Sequence, residues 1–95
     1  MAAYVIANIE VKDPEAYEVY KLLAARALAR YGGRFLVRGG AAEKLEGDWQ
    51  PRRVVLLEFE SAARAKEWWN SPEYAPAKEI RERTARSELV LVEGI

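Results

Sequence analysis

The chain has 95 residues, 51% of them hydrophobic, with neither cysteine nor histidine, and its 15 Lys plus Arg balance 15 Asp plus Glu. That length supports one small domain of marginal stability, residues 1–95, and zero net charge offers no field to gather a nucleic-acid backbone. The missing residue types rule out disulfides, thiolate chemistry, Ser-His or Cys-His nucleophile pairs, a proximal haem histidine and the usual zinc sites, so no cofactor and no metal are expected.

Tyr4–Val11 is the first apolar run and reads as a β-strand. Asp13-Pro14-Glu15 then opens a helix, because Asp caps free amides, Pro suits the first helical position and Glu suits the positive helix end. The helix is expected to reach about Tyr31 and to turn Ala16, Val19, Tyr20, Leu23, Ala27 and Tyr31 toward the sheet, with Gly32-Gly33 as its stop. Arg34–Arg38 is the second strand. Gly39-Gly40 interrupts it, as paired glycines do at a bulge or a close backbone approach, and Glu43–Glu46 resumes an extended reading. Gly47-Asp48-Trp49-Gln50-Pro51 has the composition of the hairpin turn before a third strand, Arg52–Glu60. Ser61 caps a second helix reaching about Asn70. Ser71-Pro72-Glu73 repeats the cap grammar for one turn, and helix follows from Pro76 to about Thr84. Arg81-Glu82-Arg83 alternates charge like a solvated helix face. Glu88–Glu93 is the last strand. No run approaches the ~18 apolar residues of a membrane span, and no basic and apolar leader opens the chain, so a cytoplasmic protein without membrane or nucleic-acid partners is expected.

Strand, helix, strand, strand, helices, strand is the ferredoxin-like βαββαβ order, an α+β fold with an antiparallel four-stranded sheet and its helices on one face. The strands are too apolar for one open face. Either Val54, Leu56 and their neighbours or Val55, Leu57 and Phe59 would meet water, so a second copy packed sheet to sheet, a homodimer, is predicted. Leu57 is expected between the two sheets.

Several pieces in this order resemble a bacterial family known only as a domain of unknown function, number 1330, within the dimeric α/β-barrel superfamily. They are Asp13-Pro14-Glu15 with Tyr17 and Tyr20, the stretch Tyr31–Gly40, Glu46-Gly47 with Pro51-Arg52, Glu58-Phe59, Ser71-Pro72-Glu73-Tyr74 and Val92-Glu93-Gly94. The resemblance implies a homodimer whose sheets close into a barrel, with a pocket in each subunit between sheet and helices. It implies no established activity: superfamily relatives include cofactor-free monooxygenases, muconolactone isomerases and haem enzymes, and fold alone does not choose among them.

Arg38-Gly39-Gly40 is the sharpest local feature, because a strand arginine beside bare backbone could offer a planar fork to a carboxylate ligand. Glu58, flanked by Leu57 and Phe59, is the candidate general base, against the plainer reading of an ion pair with Arg38, Arg52 or Arg53. Tyr20, Trp68 and Tyr74 are expected to line an aromatic pocket, although helix aromatics more often serve as core or dimer interface. Asn8 is polar among apolar neighbours and needs a side chain, water or ligand as partner. Glu43, Glu46 and Asp48 lack calcium-loop spacing and read as solvated. Two functions fit: a small-molecule binding module for an aromatic or carboxylated metabolite, or a cofactor-free enzyme of the monooxygenase or isomerase type with Arg38 orienting the substrate and Glu58 or a tyrosine moving a proton.

Overall fold

In the computed structural model, which describes residues 1–95, the elements run β1 (Ala3–Val11), α1 (Pro14–Arg30), β2 (Arg34–Arg38), β3 (Arg53–Phe59), α2 (Ala62–Trp69), α3 (Ala75–Thr84) and β4 (Ala85–Glu93). The caps act as their residue types dictate. Asp13 Oδ1 accepts from Ala16 N at 3.2 Å and Ser61 Oγ from Arg64 N at 3.1 Å. Ser71, buried between α2 and α3, donates to the Trp68 carbonyl and accepts from Tyr74 N, which holds the single turn around Pro72. No helix is long and apolar enough to cross a membrane.

The sheet is antiparallel throughout, in the order β2-β3-β1-β4. β4 starts at Ala85 rather than Glu88, because the amides of Lys12 and Asp13 both donate to the Thr84 carbonyl and zip β1 to the chain as soon as α3 ends. Two expectations for the β2–β3 connection fail. Residues 43–46 form no strand, and 39–52 is one long loop rather than a hairpin turn. Its Ala-Ala-Glu-Lys-Leu-Glu stretch has little β propensity, so nothing favours a longer ladder. The bulge falls between Phe35 and Val37, not at Gly39-Gly40. Leu36 is the extra residue, and it puts Phe35 and Arg38 on one face although they are three apart.

The pleat sorts the remaining strand residues. Val5, Ala7 and Ile9 of β1 and Val55, Leu57 and Phe59 of β3 face the helices in one core cluster with Trp68, Tyr74 and Ala77. Leu57, 7% exposed, therefore belongs to this core and not to a surface between two sheets. Tyr4, Ile6, Val54, Leu56, Val90 and Val92 share the outer face with Asn8 and Glu58. On α1 the buried positions are Tyr17, Ala24, Ala27 and Leu28, whereas Val19 is half exposed. The inward stripe is thus Tyr17, Tyr20, Ala24, Ala27 and Leu28, turned from the expected one to bring Tyr17 onto the sheet. Arg81, read from sequence as solvated, is 4% exposed, because its place one turn after Ala77 and three residues before Thr84 points it at the sheet.

Candidate functional site

The bulge at Leu36 creates the site. It leaves Arg38 opposite Val55 on the helix side of the sheet, where its guanidinium stacks on the Phe35 ring at 4.2 Å and reaches α1 only through a 3.5 Å contact to the Lys21 carbonyl. Arg53 points the same way from the start of β3 and lies 5.8 Å from the centre of the Tyr17 ring. Gly39 makes this possible. Its φ is +74°, and a Cβ there would collide with the Arg53 guanidinium. The Gly39 amide donates to the Val54 carbonyl at 2.9 Å, so it is spent on the fold and not offered to a ligand, while Gly40 sits in open space.

Behind these two cations a crevice runs between sheet and helices. Tyr17, Tyr20 and Trp68 line it together with Phe35, Leu57 and Leu89, and Lys21 sits at its entrance. Its free interior is about 30 Å³, room for about two waters. Tyr74 is fully buried and lies outside the lining; it joins through a 3.1 Å hydrogen bond between its hydroxyl and that of Tyr20. Burial raises the Tyr20 hydroxyl well above the ordinary phenol range, and Tyr74 beside it adds to the effect. The Tyr17 hydroxyl is also raised by burial, with the neighbouring Arg53 pulling the other way. Both are protonated donors at neutral pH. The lining contains no carboxylate or amide side chain.

Two expected site residues lie elsewhere. Glu58 is on the outer face, opposite Arg34, and binds that guanidinium at 2.5 Å, so it does not converge with Arg38, and none of the arginines expected as its partner is the one it uses. Asn8, also on the outer face, uses both ends of its amide on the loop, donating to the Gln50 carbonyl at 2.9 Å and accepting from Arg52 N at 2.7 Å. The structure therefore brings together Arg38, Tyr20 and Trp68 from the expected set and adds Tyr17, Lys21 and Arg53. Arg53 was legible in principle, since it shares parity with Val55 and Leu57 on β3. Tyr17 was legible as the i−3 neighbour of Tyr20. No group of three or more Asp or Glu is placed to hold a metal ion.

Solved structures share this fold. The chain is similar to a protein of unknown function from Rhodopseudomonas palustris, with a TM-score of 0.79 and 21% identity over 99% of this chain and 82% of that one. It is similar to a dimeric ferredoxin-like protein of unknown function from Jannaschia sp. CCS1, with a TM-score of 0.73 and 12% identity over 99% of this chain and all of the other. SnoaB, a cofactor-independent oxygenase from Streptomyces nogalater, matches with a TM-score of 0.65 and 14% identity over 99% of this chain and 93% of that one. Among curated proteins none matches. The sequence of residues 2–95 matches the family described as Domain of unknown function (DUF1330), and with that match covering nearly its whole length the chain belongs to this family.

Proposed function

We propose that the protein binds a small carboxylated metabolite in the crevice between sheet and helices, and does so as a homodimer joined through its outer sheet face. One observation carries the ligand reading: Arg38 and Arg53 stand together at the crevice and neither is paired with a carboxylate. Unpaired guanidinium groups over an apolar, acceptor-poor interior favour an anion with an apolar body. The carboxylate is placed at the entrance, and an apolar tail enters the narrow interior only as the Tyr17 and Tyr20 side chains move aside, a smaller movement for a slender aliphatic chain than for an aromatic ring.

The alternative is a cofactor-free enzyme of the monooxygenase or isomerase type, and the likeness to the SnoaB fold supports it. Proton abstraction asks for a base within reach of the ligand. The two crevice hydroxyls are held protonated, and Glu58 is on the opposite face of the sheet. The binding reading asks for no base, so it stands first. The dimer is supported by the apolar outer face, where Val90 is 56% and Val92 45% exposed, and by the dimeric description of the Jannaschia protein.

Calorimetric titration with butyrate and hexanoate tests the ligand. Binding is expected, and Arg38→Ala is expected to weaken it about tenfold or more, the worth of a charge-assisted hydrogen bond, without a measurable loss of stability. Absence of binding, or equal binding by the variant, overturns the reading. If the variant unfolds the protein, Arg38 is structural.

A further inference from the structure

The mouth of the crevice opens onto a second space. A groove with a free volume of about 570 Å³ lies between α1 and the two crevice arginines, and Lys21, Arg38 and Arg53 line both it and the crevice. Leu22 and Ala25 of α1 give the groove an apolar wall, and Glu18 completes its lining. A short acid fits here whole, without entering the interior of about 30 Å³.

Charge and hydrogen-bonding capacity divide differently among these groups. Arg38 and Arg53 have no carboxylate partner. Lys21 has one: its Nζ meets Glu18 at 2.7 Å, one turn earlier on α1, so its charge is balanced within the helix. An ammonium has three N–H donors, and the contact with Glu18 engages only one of them. Lys21 therefore brings donors to the mouth without surplus charge. A neutral acceptor oxygen suits it, whereas a second anion would face Glu18. Arg38 Nη2 reaches the Lys21 carbonyl at 3.5 Å, so its guanidinium stands against this turn of α1 and presents what it holds to the same turn.

We propose that the ligand is a short 2-oxo acid, its carboxylate held by Arg38 and Arg53 and its oxo oxygen by the Lys21 ammonium, which makes Lys21 the residue that selects it. This rests on the reading of the crevice mouth as a carboxylate site and adds the second acceptor. The oxo oxygen of such an acid is fixed next to its carboxylate, so the arginines that hold one present the other at the same mouth. The short carbon chain lies against Leu22 and Ala25. A 2-amino acid would instead add a cation to a mouth that already holds three.

The test compares 2-oxobutyrate with butyrate and 2-oxohexanoate with hexanoate by calorimetry on the wild-type protein, with 2-aminobutyrate as the control of opposite charge. Each 2-oxo acid is expected to bind about tenfold or more tighter than its parent, and 2-aminobutyrate no tighter than butyrate. Lys21→Met keeps the stem and removes the donors. It is expected to bring the oxo ratio to about one with butyrate affinity unchanged, whereas Arg38→Ala weakens both acids alike. If Lys21→Met does not fold, Lys21→Ala replaces it with the same expectation. Butyrate binding without an oxo advantage overturns the selection by Lys21 and leaves the carboxylate site standing. An advantage that survives in Lys21→Met, or tighter binding of the amino acid than of the oxo acid, overturns it as well. If no acid binds, the mouth is no carboxylate site and both readings fall.

Discussion

Gly39 shows how much one residue can settle. Its positive φ ends β2, its amide closes the ladder on Val54, and the space where a side chain would stand is filled by the Arg53 guanidinium. Gly39→Ala would place a Cβ in the left-handed region, at a cost of about 1–2 kcal/mol, and would push Arg53 away from Tyr17. Urea unfolding should report that destabilisation, and the carboxylate titration should show weaker binding in the same variant. Unchanged affinity would mean that Arg53 holds no ligand. Trp68 is fixed as firmly from another side: it packs on Phe59 at 5.3 Å and on Tyr74 at 4.3 Å between ring centres, so the inner wall of the crevice is also the centre of the core. A pocket built this way is rigid at its floor and adjustable at Arg38, which is exposed and stacked only on Phe35.

Elements are joined here by polar contacts that the strand and helix patterns do not announce. Tyr31, at the end of α1, donates to Glu73 at 2.7 Å, and this bond holds the Glu73 carboxyl below the usual carboxylate range while tying α1 to the turn between α2 and α3. Asn8 does the same for the long loop. With one side chain it satisfies a carbonyl and an amide of residues 50 and 52, which sit just before β3. Asn8→Ala removes both bonds, at about 1–2 kcal/mol, and loosens a loop with no ladder of its own. Limited proteolysis should then cut within 39–52 faster than in the wild type. An unchanged cleavage rate would show that the loop is held by something other than Asn8.

At the scale of the whole molecule, the two faces of the sheet have different tasks. The helix face carries the core and the crevice, while the outer face leaves Tyr4, Ile6, Val54, Leu56, Val90 and Val92 in one apolar field. Burying such a field against a second copy gains roughly 25 cal/mol per Å² of apolar surface, which matters for a domain this small. Leu56→Asp and Leu57→Asp separate the faces. Leu56→Asp is expected to give a folded monomer by light scattering, because the charge can stay in water once the subunits part. Leu57→Asp is expected to unfold the chain, since the charge would have no partner among buried side chains. A Leu56→Asp variant that remains a dimer would move the interface off this face.

The order of elements was legible because it depends on local chemistry. Asp13, Ser61 and Ser71 cap backbone amides within three residues of themselves, and the Val, Ile and Leu runs of β1 and β3 mark strands whatever lies around them. The family resemblance was legible for the same reason, as short pieces in sequence order. The faces were not. Leu36 shifts the parity of β2 by one residue, and that shift depends on how Val37 pairs with Leu56 on another strand; it turned Arg38 to the face opposite Glu58, while Arg34, ahead of the bulge, lies directly across from Glu58 and pairs with it. Arg81 looked like a surface residue because its charged neighbours are adjacent in sequence, yet a helix turns each residue to a different side, and only the packing of α3 on the sheet decided that this one faces inward. Caps and strand runs are short-range and were fixed by the chain itself, whereas register, burial and the company of charges come from contacts between distant segments, and tertiary structure alone set them.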